Sequence, residues 1–176
     1  MLKGMEHMER HNIASLILDR AQDRLLESLN QMTVDEANTM PKPLIKSVTW
    51  LVWHTARMID LQISSLKGES PLWTSKGWTD RFDLDLPDDT PDYKHSPQEA
   101  EKVKVEDKSL LTDYLSESID LAKDYLDKID PASLEEVIDR SYTPPVTRLT
   151  RLISIVDDAD MHSGQAVYTR RLVLGK

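Results

Sequence analysis

Cysteine is absent from this 176-residue chain. The absence excludes disulfides, thiolate catalysis, iron–sulfur clusters and cysteine-ligated zinc, and it fits a reducing cytoplasm. Glycine (5) and phenylalanine (1) are scarce, which argues against a β-rich protein. There is no glycine-rich phosphate loop and no Gly-x-Ser-x-Gly elbow. No apolar run approaches the roughly 20 residues that span a bilayer, and Met1–Arg10 mixes charges of both signs, unlike a signal peptide. Positive charge is also short: Lys+Arg 22 against Asp+Glu 31 gives a net charge of −9, so nucleic acid and anionic membranes are expected to be repelled. A soluble, cytoplasmic, helical protein acting on a small molecule is the expectation, with the chain as one domain of residues 1–176.

Four segments repeat their apolar residues every three or four positions, as a helix face requires. The first runs from about His11 to Met32 and the second from about Leu44 to Lys67, stopping at Gly68. The third runs from about Asp107 to Ile129, ahead of Asp130-Pro131. The fourth runs from about Thr147 to Leu174, ending at Gly175. Thr33-Val-Asp-Glu36 reads as an N-cap signature for a further turn. The pattern predicts an all-α fold, a four-helix bundle. Residues 68–106 are far longer than antiparallel neighbours need, so they predict a crossover loop between helices two and three and an up-down-down-up path. Trp73, Trp78 and Phe82 in that loop are expected to pack, and the acidic stretch 83–92 to stay solvated.

The chemistry-bearing residues sit inside helices two and four. A stripe through Ser47, Trp50, Leu51, His54, Met58 and Leu61 aims His54 inward. At 100° per residue, Asp158 and His162 share a side with Ile155, Ala159 and Ala166, while Asp157 and Asp160 fall opposite with Gly164 and Arg171. An inward carboxylate needs a pair, hydrogen bonds or a cation. Two readings follow. His54, Asp158 and His162 hold a metal with a position open to water or substrate, or Asp158 forms a buried pair with a histidine or with Arg57 or Arg148. His7 and His11 have ligand spacing at the fraying start of helix one. His95, in the polar, proline-rich loop, is expected at the surface. Gln165 is either a hydrogen-bond partner behind His162 or an ordinary polar position, and Trp50 with Trp53 is expected to pack.

Trp53-His54-Thr55-Ala56-Arg57-Met58-Ile59-Asp60 resembles the Trp-His motif of the DinB-like superfamily, which includes the YfiT-like metal-dependent hydrolases. His162-Ser163-Gly164-Gln165, followed by Tyr168 and Arg171, resembles the last-helix segment of that family, and Trp73–Phe82 is similar to its aromatic loop. The resemblance implies a four-helix, often dimeric protein that holds nickel or zinc with three histidines. It also implies thiol S-transferase or hydrolase activity, with a low-molecular-weight thiol as cosubstrate. His54 and His162 match two of the family ligands; at the third position, four before His162, this chain carries Asp158. A two-histidine, one-carboxylate set suits zinc, nickel, manganese or iron. The substitution equally fits a member that has lost its metal and serves as a non-catalytic, ligand-binding or stress-response dimer.

Overall fold

The computed structural model describes residues 2–91 and 94–176, with side chains from residue 13 onward. His7 and His11 lie outside the described side chains. The chain is mostly helical. Helix α1 spans Leu2–Asn30 and the one-turn α2 spans Val34–Ala37. Helix α3 spans Val48–Lys67, α4 Leu72–Ser75, α5 Trp78–Phe82 and α6 Pro97–Glu101. The last two long helices are α7, Lys108–Lys128, and α8, Arg148–Leu174. A short antiparallel hairpin, β1 (Val137–Asp139) and β2 (Val146–Thr147), precedes α8.

Local chemistry sets the helix ends. Ser47 accepts a hydrogen bond from the Trp50 N–H at 3.0 Å, so α3 starts at Val48, four residues later than the apolar pattern predicts. Gly68 and Gly175 close α3 and α8 with φ near 70°, a conformation that costs other residues a Cβ clash. Thr33 and Glu36 form the expected capping box, and Ser96 with Glu99 forms a second that the sequence reading did not pick out.

These turns hold carboxylates in their charged form. The Thr33 N–H and hydroxyl keep Glu36 below the usual carboxylate range, and the Ser96 hydroxyl and N–H do the same for Glu99. The Ser109 and Ser141 hydroxyls, each with a backbone N–H, hold Asp107 and Asp139 low. Each folded value lies below the unfolded one, so this stability is present above the ordinary carboxylate range and lost as pH falls through the lowered values. The melting temperature is expected to fall between about pH 5 and pH 3. A Glu36→Gln/Glu99→Gln double variant should fall less steeply, and a slope equal to wild type would contradict this.

Helix α1 packs on α7 and α8, and α3 packs on the same two helices. Along α1 and α7 the contacts run in opposite senses: Lys123 with Asp19 at 2.6 Å, Gln22 with Ser116 at 3.1 Å, Lys108 with the Leu29 carbonyl at 2.9 Å. The senses are also opposite along α3 and α8, where Arg148 reaches the Leu66 carbonyl and Arg151 reaches Gln62 at 3.1 Å. Leu18, Ala21, Leu25 and Leu29 of α1 meet Leu111, Leu115 and Ile119 of α7 and Leu152, Ile155 and Ala159 of α8 in one continuous core. Every residue of α3 from Val48 to Asp60 is buried, so its interior face is wider than the predicted stripe. The stripe also ends earlier: Leu61 is 49% exposed, whereas Ile63 and Ser64, on another side of the same turn, are buried.

The long connection carries α4, α5 and α6. Trp73, Trp78 and Phe82 are buried around Tyr114 with ring centroids 5.2–5.9 Å from it, offset arrangements that add to simple burial. Residues Asp83, Asp85, Asp88 and Asp89 stay exposed, as expected.

Candidate metal centre

The opposite senses of α3 and α8 bring the His54 level of one against residues 158–162 of the other. His54 and His162 are 5% and 8% exposed, and the Asp158 side chain keeps 29% of its surface. One ligating atom from each of the three lies within 4.8 Å of the others. The imidazole centroids are 4.6 Å apart, and Asp158 Oδ2 sits 3.7 Å from His54 Nε2 and 3.4 Å from His162 Nδ1. In a tetrahedral site with bonds of about 2.1 Å, ligands lie roughly 3.4 Å from one another, near the 3.7 Å between Asp158 Oδ2 and His54 Nε2.

Two details bear on whether these residues fit a cation. His162 Nδ1 lies 2.8 Å from the Asp158 backbone carbonyl, one turn back. A carbonyl only accepts, so Nδ1 carries the proton and Nε2 keeps its lone pair, the tautomer a metal-binding imidazole needs. Asp158 Oδ2 is buried and has no hydrogen-bond partner. An orphaned carboxylate oxygen facing two imidazoles is costly as it stands, and a divalent cation between them removes that cost. The donor set fits a metal.

The alternative arginine partners are engaged elsewhere. The Arg57 guanidinium lies over Trp73 at 4.6 Å and Trp53 at 5.6 Å and donates to the Thr90 carbonyl at 3.3 Å. Arg148 bonds Glu136 at 2.5 Å and Tyr125 Oη at 2.7 Å, contacts that raise its already high pKa. The buried Asp–Arg pair is therefore not formed. Gln165 lies exposed on α8.

Trp50, read from the sequence as packing, stacks on His54 with centroids 4.5 Å apart and planes within 10°, and its ring is 6.4 Å from His162. The same-face, i−4 spacing to His54 was the available signal. His95 is corrected: it is half-buried against Trp50 and Trp53 rather than at the surface. Asp60, the last residue of the Trp-His segment, is fully buried and holds the start of α4. No signal in α3 alone separates it from an ordinary solvated aspartate.

The sequence pattern of the DinB superfamily matches residues 17–166. Among solved structures, the crystal structure of a conserved protein from Enterococcus faecalis is similar at 62% identity, with a TM-score of 0.91 over 94% of this chain and 97% of that one. No curated protein matches. With most of its length inside the family pattern, the chain belongs to the DinB superfamily.

Proposed function

We propose that this protein is a metal-dependent enzyme, a thiol-dependent S-transferase or hydrolase, in which His54, Asp158 and His162 hold a divalent metal. The observation that carries this reading is the buried Asp158 Oδ2, which accepts no hydrogen bond and stands 3.7 Å and 3.4 Å from two inward imidazoles, contacts an Asp–His pair alone would also make. Nickel or zinc is the first choice and manganese or iron the alternative, from the donor types. Three protein ligands leave a coordination position open, and a cation there supplies Lewis acidity that makes a thiol or water acidic near neutral pH. With no cysteine in the chain, the thiol is a low-molecular-weight cosubstrate.

The surrounding residues supply the rest. Trp50 and Met58, both buried, exclude water from the inner side, and the partial exposure of Asp158 marks the open side. Met161, next to His162, is 49% exposed and offers an apolar surface for the non-reacting part of a small substrate.

The packing and contact senses described above support a four-helix bundle with an up-down-down-up path; the reading takes residues 1–176 as one domain of a cytoplasmic protein. Homodimerisation belongs to this reading. Ile13, Leu16, Leu149 and Ile153 are exposed on α1 and α8 and offer an apolar surface for a second copy. A second reading, a non-catalytic ligand-binding bundle, is favoured by an apolar groove of about 630 Å³ lined by Ile13, Ile17, Leu149, Ile153 and Val156.

Native mass spectrometry of protein purified without a His-tag or metal resin tests both points. The expected species is a dimer of the 20.2 kDa chain with one metal per chain, and His54→Ala and His162→Ala should each lose the metal. A metal-free wild type that also takes up none from added nickel or zinc would overturn the enzyme reading.

A further inference from the structure

His95 stands immediately before α6, yet its ring reaches back to α3. Trp50 Nε1 donates to His95 Nδ1 at 3.1 Å. An indole N–H can only donate, so His95 Nδ1 bears the lone pair and Nε2 bears the proton. That N–H faces Thr90 Oγ1 at 2.8 Å. The ring also lies flat on Trp53, with centroids 5.7 Å apart and planes within 16°. Lys46 adds a bond to the His95 carbonyl at 3.2 Å and stands over the Trp50 ring at 5.1 Å. The ring is thus fixed at both nitrogens and on one face.

The indole held this way is the one that touches the metal-facing histidine. Its edge bonds His95 and its face stacks on His54 at 4.5 Å. Three residues on, Trp53 Nε1 is buried with no hydrogen-bond partner. The neighbouring Trp73 Nε1 donates to the Asp88 carbonyl at 3.0 Å, away from the histidines, so among these indoles it is Trp50 whose N–H ties the His54 stack to another imidazole. A tryptophan side chain has two rotatable bonds, and an edge hydrogen bond fixes the second. Without it, the stacked surface that sets the plane of the His54 ring can turn.

We propose that His95 is a positioning residue of the centre: through the Trp50 indole it orients the His54 imidazole, which makes the segment ahead of α6 a working part of the site. The orientation of His54 follows from contacts in the protein alone. Its consequence for metal affinity rests on the metal reading above, and the test separates the two.

The variants are His95→Ala, His95→Asn, which keeps an acceptor near Nδ1, and Trp50→Phe, which keeps a ring against His54 but lacks the N–H. Two quantities are read at 20 °C on protein whose circular dichroism matches wild type. One is the His54 ring resonances in metal-free protein, which feel the ring current of the stacked indole. The other is the nickel dissociation constant. His95→Ala and Trp50→Phe should shift the His54 resonances and weaken nickel binding about tenfold, the low end for residues that orient a metal ligand. His95→Asn should stay within about threefold of wild type. If His95→Ala fails to fold, the Trp50→Phe and His95→Asn comparison carries the test. Unchanged His54 resonances and nickel affinity, with only a lower melting temperature, would overturn the proposal and leave His95 as packing. If wild type binds no nickel while the His54 resonances still shift, the metal reading fails and the positioning role stands.

Discussion

Asp60→Ala is expected to lower the folding free energy by about 3–5 kcal/mol, the net of the terms below. The Asp60 carboxylate is fully buried and accepts from four donors: the Leu72 N–H at 2.7 Å, the Trp73 N–H at 2.8 Å, Ser64 Oγ at 3.1 Å and Tyr114 Oη at 2.8 Å. Truncation leaves two backbone N–H groups without this acceptor, each costing about 1–3 kcal/mol, and removes the Tyr114 and Ser64 hydroxyl bonds to it, partly offset because a buried charge is removed as well. For a domain of this size each kcal/mol moves the melting temperature by roughly 2–4 °C, so the drop should reach about 10 °C. Asp60→Asn keeps one acceptor oxygen but turns an amide N–H toward a donor, and should recover only part of the loss. Limited proteolysis should cut between residues 69 and 82 before the rest of the chain opens. An Asp60→Ala melting temperature within two or three degrees of wild type would sink this account.

A second large effect is expected from metal on thermal unfolding. The three candidate ligands come together only in the folded chain, so binding adds RT ln(1 + [L]/Kd) to stability, about 2.7 kcal/mol at free metal one hundred times Kd. That corresponds to a rise of roughly 5–10 °C. Nickel, zinc and manganese are each added to wild type, His162→Ala and Asp158→His. His162→Ala should lose the increment. Asp158→His should keep it and shift preference toward nickel or zinc, which imidazole suits. A wild type indifferent to all three metals, with a response appearing only in Asp158→His, would mean that the carboxylate replaced a working ligand and the metal was lost. The ligand-binding bundle then becomes the better reading.

The four long helices were legible because their apolar residues recur with helical spacing and their ends carry Gly68, Asp107, Thr147 and Gly175, while the Ser47 cap passed as part of the inward stripe. The same register put Asp158 and His162 on the inward side of α8 and Asp157 and Asp160 on the outward side, as the structure has them. What escaped depends on contacts distant in sequence. His95 lies among polar residues and prolines, and nothing within ten positions reveals that its partners are Trp50 and Trp53. Asp60 looks like a surface residue until Tyr114 and the start of α4 are placed against it. The β1–β2 hairpin is only three residues against two, too short for an alternating pattern to register. Leu61 shows the opposite error: it continues the apolar spacing yet is half exposed, while Ile63 and Ser64 on another side of that turn are buried.

Complete burial of α3 from Val48 to Asp60 divides the labour of change between the two helices that carry the candidate ligands. A substitution anywhere in that stretch meets packed neighbours and is first a question of whether the chain folds. Helix α8 presents His162 inward while Met161, Gly164, Gln165 and Tyr168 beside it face outward. Those positions can vary at little cost to the core. In descendants of this chain, or in libraries made from it, altered preference for one small molecule over another should therefore accumulate on α8, with α3 carried along nearly unaltered.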